Sequence, residues 1–153
     1  MQENKTILIV TNDTLLAHRL TEIFHANGYN IGVAADGESA IDGISERDID
    51  IVIVDTFLPD IVGSILIRKL RFLSPESEIV FMTDLLDTIP QALSNGATTS
   101  IQKPINLQQV LVVVNKFIEI KSLKRENLCL TVQLDLAKEK VQEYPEGYQI
   151  NLN

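Results

Sequence analysis

Short apolar runs alternate with amphipathic stretches along most of this 153-residue chain. The clearest run is 51–54, in which four β-branched residues end abruptly at Asp55. An unbroken run of this length is typical of a strand covered on both faces, because a half-exposed strand would alternate polar and apolar residues. This run and four others predict five strands, at 5–10, 30–34, 51–54, 78–82 and 98–102.

Between the strands, apolar residues recur at the three- and four-residue spacing of helices. The predicted helices are 13–27, a second that begins at Asp36-Gly37, then 62–72, 86–95 and 106–121. Because strands and helices alternate five times, we number them β1–β5 and α1–α5 in chain order. The alternation predicts an α/β fold, a flavodoxin-like, doubly wound, five-stranded parallel sheet of order 2-1-3-4-5 with helices on both faces.

Reactive polar residues follow the ends of four predicted strands: Thr11-Asn12-Asp13 after β1, Asp55 after β3, Thr83 after β4, and Lys103-Pro104 after β5. These ends share one edge of a parallel sheet, which is where ligands of open α/β sheets bind. An acid, a hydroxyl and an amine at one edge suit a site that accepts a phosphoryl group. Asp55 would be the nucleophile, and Thr83 and Lys103 would hold phosphoryl oxygens. A divalent cation normally completes such a site.

From about residue 5 to residue 121, the chain resembles the receiver domain of two-component response regulators. The segment 48–63 (DIDIVIVDTFLPDIVG) is similar to the family's phosphoacceptor strand and loop, and 80–84 (VFMTD) is similar to its switch-threonine strand. The segment 92–104 (ALSNGATTSIQKP) resembles the family's last strand and its Lys-Pro pair. The resemblance implies that Asp55 is the phosphoacceptor, Thr83 the switch threonine and Lys103 the phosphate-pairing lysine. It also implies a cis Lys103-Pro104 peptide bond.

The end of β1 departs from the family pattern. Receivers carry two adjacent acids there that hold Mg²⁺, and this chain has Thr11 and Asn12. Since Mg²⁺ prefers carboxylate oxygens, we expect it to bind at least about tenfold more weakly, through Asp55 with help from Asn12, Asp13 and the backbone carbonyl of Phe57. Asn12 and Asp13 fit equally well as caps of the first helix, where Asn and Asp are favoured.

A second departure lies in the predicted β5. Receivers usually carry an aromatic residue three positions before the conserved lysine, and Ser100 occupies that place. A serine cannot report the state of Thr83 by burying a ring, so the usual coupling between threonine and aromatic residue is predicted to be absent or altered.

The segment 122–153, which follows a predicted receiver domain at 1–121, has two interpretations. Leu123, Asn127, Leu130 and three further positions follow the 4-3 spacing of a helical coiled coil with Asn127 in the seam. Alternate residues from Leu128 to Leu136 instead follow a strand pattern, and residues 141–152 then resemble a hairpin. That version is similar to the strands that open some winged-helix domains. The strand pattern is slightly favoured beyond about residue 128.

Composition limits the partners of this chain. The net charge is −8, which argues against direct binding to nucleic acid or to a membrane. The single cysteine, Cys129, excludes an internal disulfide and suits a reducing cytoplasm. His18 and His25 have no second metal ligand nearby and are expected on the surface of the first helix. We therefore expect a cytoplasmic protein without a signal peptide.

Three functions compete on this sequence. The leading prediction is a phosphorelay receiver, a signalling protein rather than an enzyme, that accepts a phosphoryl group on Asp55 from a sensor histidine kinase. It would act on a downstream protein or output domain through its α4-β5-α5 face, where a homodimer is also expected. The alternative is a pseudo-receiver, a protein-interaction module that works without phosphorylation. A flavodoxin-like cofactor-binding protein or enzyme is disfavoured because residues 11–14 lack glycine and aromatic residues.

Overall fold

The structure is a computed structural model that describes residues 5–142, with side chains described up to residue 138. The strands are Thr6–Val10 (β1), Asn30–Ala34 (β2), Ile51–Asp55 (β3), Glu78–Thr83 (β4) and Thr99–Gln102 (β5). The helices are Thr14–Ala26 (α1), Gly37–Glu46 (α2), Gly63–Leu73 (α3), Ile89–Ser94 (α4) and Leu107–Gln142 (α5). A single 3₁₀ turn, Leu86–Thr88, precedes α4.

The five strands form one parallel sheet in the order β2-β1-β3-β4-β5, as predicted. β3 lies at the centre and every residue of it is buried, which confirms that the run at 51–54 is covered on both faces. Asp55 is level with Met82 of β4, and Thr83 is level with Gln102 of β5. The carboxyl ends of β3, β4 and β5 therefore lie side by side at one edge of the sheet.

Helices cover this sheet with side chains that are fully excluded from water. Leu20 and Phe24 of α1 and Leu66 and Leu70 of α3 each have 0% exposure. Complete burial of one such side chain stabilises the fold by about 1.5–3 kcal/mol. The hydrophobic core thus holds the strand ends in place, and both histidines lie outside it on the exposed side of α1, as predicted.

The C-terminal segment corrects one prediction. α5 continues as a helix through Gln142, so the strand pattern favoured beyond residue 128 is wrong for residues 128–142. The physical reason is that residues 107–142 contain no glycine or proline to end a helix. Residues that alternate in this segment are also four apart in pairs, such as Leu130 and Leu134, so the same pattern fits a strand and a helix. The predicted hairpin turn and its second strand lie outside the described residues.

Within α5 the chain divides into two units between Asn115 and Lys116. The domain boundary predicted at residue 121 stays a prediction. No helix within residues 5–142 combines the length and the apolar character that a bilayer span requires.

Candidate functional site

Asp55 ends β3 with its side chain almost entirely buried, at 5% exposure. Its Oδ1 atom accepts hydrogen bonds from the Thr56 backbone N–H at 2.7 Å and from Lys103 Nζ at 2.5 Å. Its Oδ2 atom accepts a hydrogen bond from the Thr11 hydroxyl at 2.7 Å. Each carboxylate oxygen is therefore satisfied by the protein itself, and the lysine places a cation against the buried acid.

Lys103 reaches Asp55 from the start of the β5–α5 connection. Its backbone N–H donates to the Thr83 carbonyl at 2.8 Å, which fixes the start of this connection against β4. The Lys103-Pro104 peptide bond is cis, as the family resemblance implied. The Lys103 side chain is 28% exposed, so its ammonium is within reach of an anion arriving from solvent.

Thr83 lies at the same edge but faces a different partner. Its hydroxyl is fully buried and accepts the Leu85 backbone N–H at 2.9 Å. The same hydroxyl donates to the Leu85 carbonyl at 3.2 Å and lies 3.1 Å from the Thr88 hydroxyl. The threonine is thus bonded to the loop that leads into the 3₁₀ turn and α4. The side chains of Asp55 and Lys103 are in direct contact. Thr83 is linked to Lys103 by the hydrogen bond from the Lys103 backbone N–H to the Thr83 carbonyl.

The end of β1 supplies a donor that the sequence analysis missed. The family pattern identifies Thr11 only as the replacement for an acid, yet its buried hydroxyl donates to Asp55 and also accepts the Asp13 backbone N–H at 3.1 Å. The signal for this role in the sequence was that Thr11 occupies the place where receivers carry an acid. Asn12 next to it is exposed to solvent.

The donors that the structure assembles do not match an acidic magnesium pocket. Asp13 caps α1, since its carboxylate accepts the Leu16 backbone N–H at 3.1 Å, which is the alternative that the sequence left open. Asp55 is the one acid whose carboxylate is held at this edge by Lys103 and Thr11. Among the side chains described, which are those of residues 5–138, no three of His, Cys, Asp or Glu are grouped so as to hold a metal ion. Mg²⁺ would have to compete with Lys103 and Thr11 for the Asp55 carboxylate. Most of its other ligands at this edge would be neutral oxygens.

Two contacts fix the loop that follows Asp55. The Gly63 N–H donates to the Thr56 carbonyl at 2.7 Å, and a Cβ atom on Gly63 would lie only 2.0 Å from the Asp55 carbonyl oxygen. Asp60, in the loop between β3 and α3, reaches the start of α2. Its carboxylate accepts the backbone N–H groups of Gly37 and Glu38 at 2.8 and 3.0 Å.

The Asp60 carboxyl should make stability depend on pH. The Gly37 N–H, helped by the Glu38 N–H and the Lys69 charge, holds the pKa of Asp60 below its ordinary value. A lowered folded-state pKa means that the contribution is complete above the unfolded-state pKa, about 3.9, and is lost as the pH falls through the folded-state pKa. We expect Asp60→Asn to be less stable than the native chain at pH 7, with a gap that closes below about pH 4.

Urea unfolding at a series of pH values measures this gap. Asp42→Asn is the matched control, because Asp42 is an exposed carboxylate on α2. A gap for Asp60→Asn that stays constant from pH 7 to about pH 3 would contradict the assignment of Asp60 as an ionised acceptor for the first N–H groups of α2.

The sheet order and the residues at its carboxyl edge define an α/β domain of the receiver class. The sequence profile described as the response regulator receiver domain matches residues 7–115. The chain therefore belongs to the response regulator receiver domain family, and the resemblance noted in the sequence is confirmed. Domains of this family are signalling domains of two-component systems that act with histidine kinases and output domains, and they typically bind Mg²⁺ in an acidic pocket.

Two curated relatives show how far the similarity extends. Sporulation initiation phosphotransferase F of Bacillus subtilis is 28% identical over 121 residues, which cover 78% of this chain and 98% of the relative. Regulatory protein LuxO of Vibrio cholerae is 33% identical over 100 residues, which cover 64% of this chain but only 22% of LuxO. The similarity thus spans almost all of one relative and a minor part of the other.

Solved structures give the same fold. A CheY-like response regulator receiver domain protein from Methanospirillum hungatei is 26% identical, with a TM-score of 0.76 over 80% of this chain and 99% of its own. A two-component response regulator from Clostridium difficile is 27% identical, with a TM-score of 0.73 over 76% of this chain and 97% of its own.

Proposed function

We propose that this receiver works in a two-component phosphorelay, with Asp55 accepting a phosphoryl group from the phosphohistidine of a sensor histidine kinase. The observation that supports the proposal is the buried Asp55 carboxylate with Lys103 Nζ 2.5 Å from Oδ1. The ammonium at this position lies against the nucleophile and would pair with the incoming anion. The near-complete coverage of phosphotransferase F by this chain adds support.

The two Asp55 oxygens would have different roles in the transfer. Oδ1 is held by the Lys103 ammonium and the Thr56 N–H, whereas Oδ2 has only the Thr11 hydroxyl, which can rotate away. Oδ2 would attack phosphorus, so that an O–P bond forms while the P–N bond of the phosphohistidine breaks. An imidazole already protonated on its other nitrogen leaves as a neutral base. Lys103 would then pair with a phosphoryl oxygen.

Thr83 would pass the change to α4. To bond a phosphoryl oxygen, its hydroxyl must leave the Leu85 carbonyl and the Thr88 hydroxyl, which hold the loop and the 3₁₀ turn before α4. Recruitment of Thr83 would therefore shift Leu86–Thr88 without any aromatic residue at position 100. In this proposal the α4-β5-α5 face presents the phosphorylated state to a downstream protein or output domain.

Magnesium would assist this transfer only weakly, because Thr11 replaces an acid beside Asp55. We expect Thr11→Asp to bind Mg²⁺ at least about tenfold more tightly than the native chain, since it adds a second carboxylate to one that is already in place. Thermal unfolding at increasing Mg²⁺ concentration measures the change, because an ion that binds only the folded state raises the melting temperature.

Thr14→Asp is the matched control for the magnesium prediction. It adds the same charge three residues further on, at an exposed position on α1. Equal magnesium dependence of the native chain and Thr11→Asp would contradict the role given to residue 11.

Treatment with acetyl phosphate tests the proposed function directly. The expected result is a slower-migrating phosphorylated species on Phos-tag gels, promoted by Mg²⁺ and absent from Asp55→Asn. Beryllofluoride should shift the NMR signals of Thr83 and Lys103 in the native chain only. If neither reagent has any effect on a folded sample at high Mg²⁺, the proposal fails and the pseudo-receiver remains.

A further inference from the structure

The second half of α5 carries large apolar side chains that point into solvent. Leu123, Leu130 and Leu134 are between 51 and 62% exposed. Monomeric soluble proteins rarely leave a continuous row of such residues uncovered, because their burial is the main source of association energy. We therefore expect this row of side chains to pack against another protein surface.

The spacing of the row identifies what kind of surface it is. Apolar residues and one asparagine occur alternately three and four residues apart, which averages 3.5 residues and keeps a seam on one side of a helix. The heptad a positions are Ile120, Asn127, Leu134 and Val141, and the d positions are Leu123, Leu130 and Ala137. Three heptads on a single helix span roughly 30 Å.

A second apolar row lies on the opposite side of the same helix. Leu128, Val132 and Leu136 are exposed, but they are spaced strictly by four. Such a row turns about 40° further around the helix at each step and cannot follow a straight partner. The heptad row is thus the longer and geometrically better seam.

Three features of this stretch fit a second copy of this chain. Asn127 occupies an a position, where the amide of one helix can hydrogen-bond to the same amide of an identical parallel helix. In that register, Glu119 at a g position faces Lys124 at the following e position of the other copy. Residues 119–142 also hold five basic and four acidic residues, so this stretch is nearly neutral although the whole chain has a net charge of −8.

We propose that the α5 extension mediates homodimerisation as a parallel, in-register, two-stranded coiled coil through the seam from Ile120 to Val141. The proposal does not rest on the function proposed for Asp55, and a failure of phosphorylation would leave it intact. It differs from the homodimer expected through the α4-β5-α5 face, because its contacts lie beyond residue 118.

Paired substitutions on the two sides of the helix test the proposal. The full chain is expected to sediment as a dimer in analytical ultracentrifugation across a concentration series. Leu130→Lys with Leu134→Lys, in the seam, should give a monomer. Leu128→Lys with Leu136→Lys, on the opposite side, should leave the dimer intact. Circular dichroism and the melting temperature show whether each variant is folded.

The opposite results would overturn the proposal. A native chain that stays monomeric at all concentrations would show that the seam does not join two copies of this chain. A dimer lost only in the Leu128→Lys, Leu136→Lys variant would assign the contact to the other side of the helix.

Disulfide cross-linking tests the orientation of the helices. With Cys129→Ser removing the native thiol, Leu123→Cys should form a disulfide-linked dimer on mild oxidation, because identical d positions meet in a parallel coil. In an antiparallel pair centred near Leu130, each Leu123→Cys thiol would face the other copy's Ala137 region, and no cross-link would form. Absence of the cross-link in a dimeric sample would overturn the parallel arrangement.

Discussion

Gly63→Ala is expected to lower the free energy of unfolding by about 3 kcal/mol or more and to abolish phosphorylation of Asp55. The new Cβ would lie 2.0 Å from the Asp55 carbonyl oxygen and 3.0 Å from the Thr56 carbonyl oxygen. These are backbone atoms, so no side-chain rotation can relieve the overlap. The strand end must move, and the hydrogen bond from the Gly63 N–H to Thr56 is strained or lost with it.

Gly43→Ala is the matched control for this prediction. Gly43 lies inside α2, where a Cβ would meet the Leu8 methyl groups at 3.6 Å, an ordinary contact. The substitution should be neutral or stabilise the protein by up to about 1 kcal/mol, because alanine favours helix. Urea unfolding and a Phos-tag assay measure both variants. Equal stability of Gly63→Ala and Gly43→Ala would show that the loop after Asp55 is not held as described.

Lys103→Met should reduce phosphorylation of Asp55 by about 10²–10³-fold, the usual effect of removing one charged or hydrogen-bonding group that stabilises a transition state. It should also destabilise the protein by about 1–3 kcal/mol, because the buried Asp55 carboxylate loses its cation. A fully buried pair would cost about 3–5 kcal/mol, but Lys103 is partly exposed and Thr11 and Thr56 still donate to Asp55.

A double-mutant cycle isolates this interaction. In an Asp55→Asn background, Lys103→Met should cost much less stability, because no buried charge is left unpaired. Lys116→Met, at an exposed lysine of α5, controls for the change of side chain and should change neither property. An equal loss of stability for Lys103→Met with and without Asp55 would mean that the contact at 2.5 Å does not contribute as an ion pair.

The pattern of apolar and polar residues was sufficient for the fold because each signal was local and strong. The apolar run before Asp55 is typical of a buried central strand, and the alternation of strands with helices favours a doubly wound parallel sheet, which the structure has in the order β2-β1-β3-β4-β5. The same pattern was insufficient in the C-terminal segment, because the apolar residues of 128–136 fit both the two-residue period of a strand and the four-residue spacing of a helix. The structure has a helix there that continues to Gln142, because residues 107–142 contain no glycine or proline to end it.

The sequence by itself determined which residues meet at the carboxyl edge, because parallel strands bring their ends to the same side: Asp55, Thr83 and Lys103 were all identified from strand ends. Only the tertiary structure decided what each side chain bonds to. It turned the Thr11 hydroxyl onto Asp55, the Asp13 carboxylate onto the α1 N-terminus and the Asp60 carboxylate onto α2. Such contacts join residues up to 44 positions apart, and hydrogen-bond geometry at that separation depends on packing that no local pattern encodes.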